Sequence, residues 1–160
     1  MKHVKLNEMV SDFSFTATNG VSGKLSDYRG KTVILYFYPK DNTPGCTLEG
    51  NDFRQTYDQF VKHNTVIFGI SRDSLKSHEK FKAQECFPFE LIDDNDEALC
   101  ALFDVMKMKN MYGKSVRGVE RSTFIIDPKG KLIAEWRKVS VPGHVAEVLQ
   151  AVVGKPLNFF

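Results

Sequence analysis

The feature that most constrains the fold is an apolar strand that runs into a turn and then into a helix. Residues 32–35, Thr-Val-Ile-Leu, are apolar or β-branched, which is typical of a buried strand. A turn containing Thr43 and Pro44 interrupts this pattern, and apolar residues then recur at helical spacing. Thr43 suits the N-cap of the helix, and Pro44 suits its first turn. The pattern predicts a strand over residues 32–38 and a helix over residues 45–62.

Cys46 falls in the first turn of this predicted helix. Free backbone N–H groups and the positive end of the helix dipole favour the thiolate there, and the thiolate is the nucleophilic form of cysteine. The alternative is a structural cysteine, because free cysteines are among the most buried residues. The position at a strand–turn–helix junction favours a reactive thiol.

The rest of the chain alternates strands with helices. An N-terminal hairpin is predicted from residues 13–17 and the segment after Gly20. Further strands are predicted over residues 65–70, 122–126 and 132–136, and further helices over residues 74–85, 95–103 and 144–153. This order predicts an α/β fold with a mixed central β-sheet flanked by helices.

Length and charge narrow the class of protein. A chain of 160 residues is expected to form a single domain, 1–160, and a net charge of +2 gives no argument for nucleic acid or a membrane surface. No apolar run approaches the roughly 20 residues of a membrane span, and residues 1–6 lack the apolar core of a signal peptide. We therefore expect a cytoplasmic protein, where cysteines tend to be catalytic. No cysteines or histidines have the spacing of zinc ligands.

Several separated motifs resemble one family. Pro39-x-x-x-Thr43-x-x-Cys46 is similar to the peroxiredoxin active-site pattern, and residues 37–47 resemble the bacterioferritin comigratory protein (BCP, or PrxQ) group. Five further segments resemble the same group and occur in the same order: Ser77-His78-x-Lys80-Phe81, Phe87-Pro88-Phe89-x-Leu91, Lys109-Asn110-Met111-Tyr112-Gly113, Arg121-Ser122-Thr123-Phe124 and Trp136-Arg137-Lys138-Val139. The resemblance covers about residues 10–149. It implies a thioredoxin-like fold and a monomer that reduces hydrogen peroxide and organic hydroperoxides without metal, haem or flavin.

The resemblance also implies roles for individual residues. Cys46 would be the nucleophile and would become a sulfenic acid. The Thr43 hydroxyl would orient the peroxide and the thiolate, and Arg121 would hold the thiolate charged and contact the peroxide. Backbone N–H groups of Gly45 and Cys46 would be further donors, and Pro39 would shield the sulfur from water.

Each of these residues has a simpler interpretation. Thr43 could be only a helix cap, Pro39 only a strand terminator, and Arg121 a surface arginine, as most arginines are. Glu49 is favourable in the first turn of a helix by the dipole alone. In the family, a glutamate near this position supports the arginine.

The cysteine that would resolve the sulfenic acid is not fixed by the resemblance. Family members carry it at the positions of Asn51 or Lys82, and neither is cysteine here. Cys86 lies at the end of the same predicted helix as Lys82 and could reach Cys46 if both ends unwind; otherwise it packs as a small apolar residue. Cys100 lies on an apolar helix face, which favours the core. With Cys86, an intramolecular disulfide would be recycled by thioredoxin or a similar protein. Without it, an external thiol would reduce Cys46 directly.

Other classes fit less well. A thioredoxin-type oxidoreductase needs Cys-x-x-Cys, which Cys46-Thr47-Leu48-Glu49 lacks. A cysteine hydrolase needs a histidine base, but none of the four histidines lies in a recognisable motif, and each is expected at the surface: His3, His63, His78 and His144. A non-enzymatic redox sensor or chaperone-like protein would use the same thiol without fast turnover.

Overall fold

A computed structural model describes residues 3–154 and shows strands alternating with helices. The strands are β1 Ser14–Thr16, β2 Ser22–Lys24, β3 Thr32–Phe37, β4 Thr65–Ser71, β5 Glu90–Asp93, β6 Met106–Met111, β7 Lys114–Val119, β8 Ser122–Ile126 and β9 Leu132–Trp136. The helices are α1 Pro44–Gln55, α2 Tyr57–Lys62, α3 Leu75–Glu85, α4 Ala98–Leu102 and α5 His144–Val153, with a short 3-10 helix at Leu25–Tyr28. The ends of the predicted domain 1–160 lie outside the described residues.

A mixed five-stranded sheet organises the fold, with strand order β5-β4-β3-β8-β9. β4 runs parallel to β3 and β5, whereas β8 runs antiparallel to β3 and β9. In the register of β3 with β8, Phe37 pairs with Ser122. The end of β3 therefore lies beside the start of β8, and the segments that follow one strand and precede the other meet at this edge.

Each face of the sheet covers its own core cluster, because side chains alternate along β3. Val33, Leu35 and Phe37 pack on one face with the N-terminal hairpin and α4. Ile34, Tyr36 and Tyr38 pack on the other face with side chains of α1, α2, α3 and α5. Cys46 belongs to this second cluster. The helix that carries it is therefore held firmly against the sheet.

Most predicted elements are confirmed. The N-terminal hairpin, the strand predicted over residues 32–38, β4, α3, β8, β9 and α5 lie within a residue or two of their predicted bounds. Ser74 caps α3 by accepting a hydrogen bond from the Ser77 N–H at 3.1 Å. No helix within residues 3–154 is long and apolar enough to span a bilayer.

Two helix predictions were wrong. The helix predicted over residues 45–62 is two helices, α1 and α2, because Thr56 leaves helical geometry (φ −107°, ψ 7°) and its hydroxyl bonds the Asp52 carbonyl at 2.9 Å. The helix predicted over residues 95–103 begins only at Ala98, since Glu97 adopts a left-handed conformation with φ 63°. The pattern also missed β5 and the β6–β7 hairpin.

Candidate active site

The first turn of α1 carries Cys46. The first helical hydrogen bond runs from the Thr47 N–H to the Thr43 carbonyl at 2.8 Å, so the N–H groups of Gly45 and Cys46 have no acceptor within the helix. Pro44 occupies the first turn, as predicted, where its missing N–H costs nothing. The Cys46 side chain is only 2% exposed. The sulfur is thus recessed beside two free N–H donors.

Arg121 reaches this sulfur from the segment just before β8. Its Nη2 lies 3.5 Å from Cys46 Sγ, and its Nη1 donates to Glu49 Oε1 at 2.7 Å. The pairing of Phe37 with Ser122 explains this approach, because it places Arg121 next to the loop that follows β3. The guanidinium is therefore fixed by one carboxylate while it faces one sulfur.

Glu49 is the most buried group of the site, with no exposed side-chain area. Burial raises the pKa of Glu49 to about 7, against the opposing pull of Arg121. Among the described residues Glu49 Oε2 finds no hydrogen-bond partner, which adds to the cost of its charge. Burial also pulls the pKa of Arg121 down, but the charges of Glu49 and Cys46 outweigh it and leave that pKa above its usual range.

Gly45 provides the space that Arg121 occupies. A Cβ atom at Gly45 would lie 3.1 Å from Arg121 Nη2, tighter than ordinary contact. The lack of a side chain therefore lets the guanidinium approach the helix N-terminus closely, besides leaving a backbone N–H free.

Thr43 and Pro39 lie on the loop between β3 and α1. Thr43 occupies the N-cap position, but its hydroxyl donates to the Lys40 carbonyl at 2.9 Å and does not cap the helix. Pro39 and Arg121 line a cavity of about 480 Å³ together with Lys109 and residues of β6. This cavity is an approach to Arg121 from solvent.

Cys86 is a free thiol and is exposed, so it does not pack as a small apolar residue, which was one of the two alternatives left open by the sequence. It ends α3 in a left-handed conformation (φ 57°, ψ 41°). The flanking Glu85 and Phe87 contact α1: Glu85 accepts a hydrogen bond from Asn51 at 3.2 Å, and Phe87 covers Gly50. Gly50 follows Cys46 by four residues, about 6 Å along the helix axis. The Cys86 segment therefore lies within about a helical turn of the level of Cys46.

Lys82, one of the family positions for a second cysteine, and the remaining cysteine, Cys100, both have structural roles. Lys82 donates to the Phe87 carbonyl at 2.7 Å, and Cys100 is fully buried, as predicted. Burial raises the pKa of the Cys100 thiol strongly, which keeps it an unreactive thiol.

Two histidines were wrongly expected at the surface. His144 is buried and its Nε2 lies 2.7 Å from the Thr123 hydroxyl, while His78 is fully buried against Asp41. His78 precedes the buried Phe81 by three residues on α3, so helical spacing could have indicated burial. His3 and His63 are exposed.

This geometry suits attack by sulfur on a polarised bond. A cationic guanidinium stabilises the thiolate, and fixed N–H donors can stabilise the charge that develops on a departing oxygen.

Comparison with known proteins assigns the class. The sequence matches the AhpC/TSA family over residues 6–135. The chain belongs to this family and is a peroxiredoxin, a thiol peroxidase built on a thioredoxin-like fold.

Similar proteins narrow the assignment to the Bcp, or PrxQ, peroxiredoxins. The chain is 48% identical to a peroxiredoxin Bcp of Bacillus subtilis, over 93% of this chain and 95% of that protein. A PrxQ variant of Xylella fastidiosa superposes with a TM-score of 0.90 at 41% identity, covering 96% of this chain and 98% of that one. A Xanthomonas campestris bacterioferritin comigratory protein, described for alkyl peroxide reduction, gives 0.84 at 48% identity and covers 88% and 90%. The predicted group and fold are confirmed.

Proposed function

We propose that this peroxiredoxin reduces hydrogen peroxide and small organic hydroperoxides with Cys46 as the nucleophile. The observation that carries the proposal is the 3.5 Å contact between Arg121 Nη2 and the buried Cys46 Sγ. The alkyl peroxide reduction described for the Xanthomonas campestris relative supports the substrate class.

In the first step the Cys46 thiolate attacks one oxygen of the peroxide. An S–O bond forms, the O–O bond breaks, and the sulfur is oxidised to a sulfenic acid while the peroxide is reduced to water or an alcohol after protonation. Arg121 and the N–H groups of Gly45 and Cys46 stabilise the oxygen that departs.

Thr43 and Pro39 complete the site in this proposal. The Thr43 hydroxyl uses its hydrogen on the Lys40 carbonyl, and its lone pairs can therefore accept a hydrogen bond from the peroxide O–H. Pro39 borders the cavity that leads to Arg121, where it limits the access of water and larger reagents to the sulfur.

In the second step Cys86 attacks the sulfenic sulfur, a disulfide forms and water leaves. The exposure of Cys86 and its position at a helix end support this role, since the two Cα atoms must come within about 7 Å and a helix end can unwind to allow it. A dithiol protein such as thioredoxin then reduces the disulfide. We expect the reaction to take place in the cytoplasm, where reducing conditions keep Cys46 as a free thiol.

We also propose that residues 1–160 act as one monomeric domain. The two core clusters share a single sheet, so neither is expected to be stable without the other.

Peroxide consumption with thioredoxin and thioredoxin reductase tests the proposal. Wild type, Cys46→Ser, Cys86→Ser and the control Cys100→Ser are compared, with intact mass after one equivalent of peroxide. We expect activity to be lost in Cys46→Ser and retained in Cys100→Ser, and wild type to lose two hydrogens.

The two steps can fail separately in this assay. Full activity in Cys46→Ser would overturn the proposed nucleophile. Full activity in Cys86→Ser, with wild type gaining an oxygen, would instead identify a one-cysteine peroxidase that an external thiol reduces directly.

A further inference from the structure

A buried ion pair joins the loop before Cys46 to helix α3. His78 has no exposed area, its Nδ1 lies 2.7 Å from Asp41 Oδ2, and its Nε2 lies 2.9 Å from the Ile92 carbonyl. A carbonyl only accepts hydrogen bonds, so Nε2 carries a proton. If Asp41 is ionised, Nδ1 carries one as well, and His78 is an imidazolium.

The other partners of Asp41 indicate that it is ionised. Its carboxylate also accepts from the Tyr38 hydroxyl at 2.6 Å and from the Ser77 hydroxyl at 2.8 Å. Three donors on one carboxyl group stabilise the charged form. Burial alone would lower the pKa of His78, but the hydrogen bond and the charge of Asp41 outweigh it and raise that pKa. The pair is therefore charged and internally satisfied.

The same cluster has the composition of a cation site, but its atoms are already used. Ligand atoms of Asp41, Asp73 and His78 lie within 4.8 Å of one another. Asp73 Oδ2 accepts from the Asp41 N–H at 2.8 Å and from the Ser71 hydroxyl at 2.6 Å, and both nitrogens of His78 are hydrogen-bonded. The cluster is a closed hydrogen-bond network.

The network holds the active-site loop from one side. Asp41 lies two residues before Thr43 and five before Cys46, and both its backbone N–H and its carboxylate are bonded to residues 71–78 or to Tyr38. Ligand atoms of His78 and Asp73 lie within 4.8 Å of its carboxylate. Among the described hydrogen bonds of Thr43, its hydroxyl contact with the Lys40 carbonyl stays within the loop, so Asp41 supplies the anchor to α3.

We propose that Asp41 and His78 are positioning residues for the peroxide reaction: their buried contact fixes residues 39–43, and thereby the positions of Thr43 and Cys46 relative to Arg121. The inference rests on the proposed role of Cys46. Displacements of about 1 Å in an active site can lower rates about a hundredfold, so a loop released from α3 would react more slowly with peroxide.

Two substitutions at His78 separate this role from simple core packing. In His78→Asn the amide nitrogen occupies about the position of Nδ1 and can still donate to Asp41. In His78→Gln the amide nitrogen approximates Nε2 and can bond the Ile92 carbonyl, but the contact with Asp41 is lost. The readout is the second-order rate constant for oxidation of Cys46 by hydrogen peroxide, measured by rapid alkylation and mass spectrometry in a Cys86→Ser background.

We expect the rate constant to fall about tenfold or more in His78→Gln, the equivalent of one charge-assisted hydrogen bond, and to stay close to the parent value in His78→Asn. Equal rate constants in the two variants, whether both are normal or both are low, would overturn the inference, because packing alone does not distinguish them.

A second arm does not depend on the folding of His78→Gln. Asp41→Ala should slow oxidation as well, and the double variant should be no slower than the slower single variant if one contact carries both effects. Multiplied effects in the double variant would contradict the pair. Leu25→Ala creates a cavity in the opposite core cluster and serves as the destabilised control with an unchanged rate constant.

Cys46→Ser, run alongside, identifies which idea fails. Peroxide-dependent thiol oxidation that persists in Cys46→Ser refutes the proposed nucleophile itself. Oxidation that depends on Cys46 but is unaffected by loss of the Asp41–His78 contact refutes only the positioning role.

Discussion

Cys46 and Cys86 occupy opposite kinds of surroundings on two neighbouring helices. Cys46 is 2% exposed at the start of α1 and faces a guanidinium, whereas Cys86 is exposed at the end of α3. Within residues 3–154 the Cys86 sulfur makes one weak hydrogen bond, to the Ala83 carbonyl at 3.9 Å. In the proposed mechanism this difference suits the two steps: attack on peroxide uses fixed charges around the Cys46 sulfur, whereas resolution of the sulfenic acid uses a Cys86 sulfur that can move.

The helix ends explain how one chain provides both conditions. A helix N-terminus offers free N–H groups and positive charge, which favour an anion. A helix C-terminus offers free carbonyls and frays, which favours mobility over anion stability. A helix C-terminus should therefore stabilise a thiolate less well than an N-terminus does. Substitutions near Cys46 and near Cys86 are expected to change different properties of the protein.

The largest expected effect comes from removing the cation beside Cys46. Arg121→Gln should lower the rate constant for Cys46 oxidation by about 10²- to 10³-fold, comparable with the loss of one transition-state donor. Arg121→Lys should recover only part of it, because one ammonium cannot reproduce the fork between Glu49 and Cys46. Stopped-flow or rapid-quench oxidation measures both.

Arg117→Gln is the matched control for Arg121. Arg117 lies on β7, where its exposed side chain pairs with Glu97 at 2.7 Å and has no hydrogen bond with Cys46. An equal loss in Arg117→Gln would indicate that net charge, and not the contact with Cys46, sets the rate.

The next effect concerns Glu49, whose pKa is about 7 in the folded protein. Above pH 7 its carboxylate holds Arg121, so Glu49→Gln should oxidise about tenfold more slowly than wild type there, as for a lost charge-assisted bond. Below pH 7 wild-type Glu49 is protonated and carries no charge, as the glutamine of the variant never does, so the two rate constants should converge. A pH profile of the two proteins tests this, and a constant ratio from pH 5.5 to 8.5 would contradict it.

Ionisation of Glu49 should speed the oxidation of Cys46 but lower the stability of the folded protein. The folded pKa of Glu49 is raised above its usual 4.5, so the folded state binds a proton more tightly than the unfolded chain. The free energy of unfolding of wild type, relative to Glu49→Gln, should therefore fall as pH rises from 4.5 through 7. Urea unfolding of both proteins across this range tests the prediction. A fall would mean that burial, which disfavours the charged carboxylate, outweighs its ion pair with Arg121; a rise would mean the reverse.

Local patterns in the sequence predict the position of Cys46 better than they predict the distant side chains that surround the site. The strand–turn–helix pattern alone predicts a first-turn cysteine, because all of its parts are contiguous. The contact of Cys46 with Arg121 spans 75 residues, and only the family resemblance indicated it. The Asp41–His78 pair spans 37 residues and was missed, since neither local periodicity nor motif shows which distant side chains a sheet brings together.

The same reasoning explains the errors in the helices. Asp93 to Asp96 resemble the polar first turn of a helix, but the Asp94 carboxylate instead accepts the Leu99 and Cys100 N–H groups, and α4 starts later. The exposed Cys86 was compatible with either a packed or a mobile residue, because a single thiol at a helix end carries no periodic signal.

A smaller effect should come from the contact that holds the Cys86 segment against α1. A Cβ atom at Gly50 would lie 2.3 Å from Phe87 Cζ, so Gly50→Ala must displace Phe87, the residue after Cys86. We expect the free energy of unfolding to fall by about 1–3 kcal/mol and the disulfide with Cys46 to form several-fold faster, because the segment is released. Rapid-quench mass spectrometry follows the loss of two hydrogens.

Gly118→Ala is the control for this change, since its Cβ would meet Lys109 only at 3.7 Å, an ordinary contact. A slower disulfide in Gly50→Ala, with Gly118→Ala unchanged, would mean that packing against α1 guides Cys86 toward Cys46 and does not restrain it.

The smallest effect is expected at Cys86, where substitution by glycine should change the free energy of unfolding in the opposite direction to the same substitution at Cys46. Cys86 has φ 57°, a left-handed conformation that costs a residue with a Cβ about 1 kcal/mol, so Cys86→Gly should raise the free energy of unfolding by up to about that amount. Cys46→Gly should lower it, because glycine weakens a helix and the substitution also removes a buried side chain. Urea unfolding of the reduced proteins compares them, with Cys86→Ala as the control that keeps the Cβ. Equal values for Cys86→Gly and Cys86→Ala would show that the helix end relaxes its left-handed residue in solution, and that the mobility of Cys86 is already present before any oxidation.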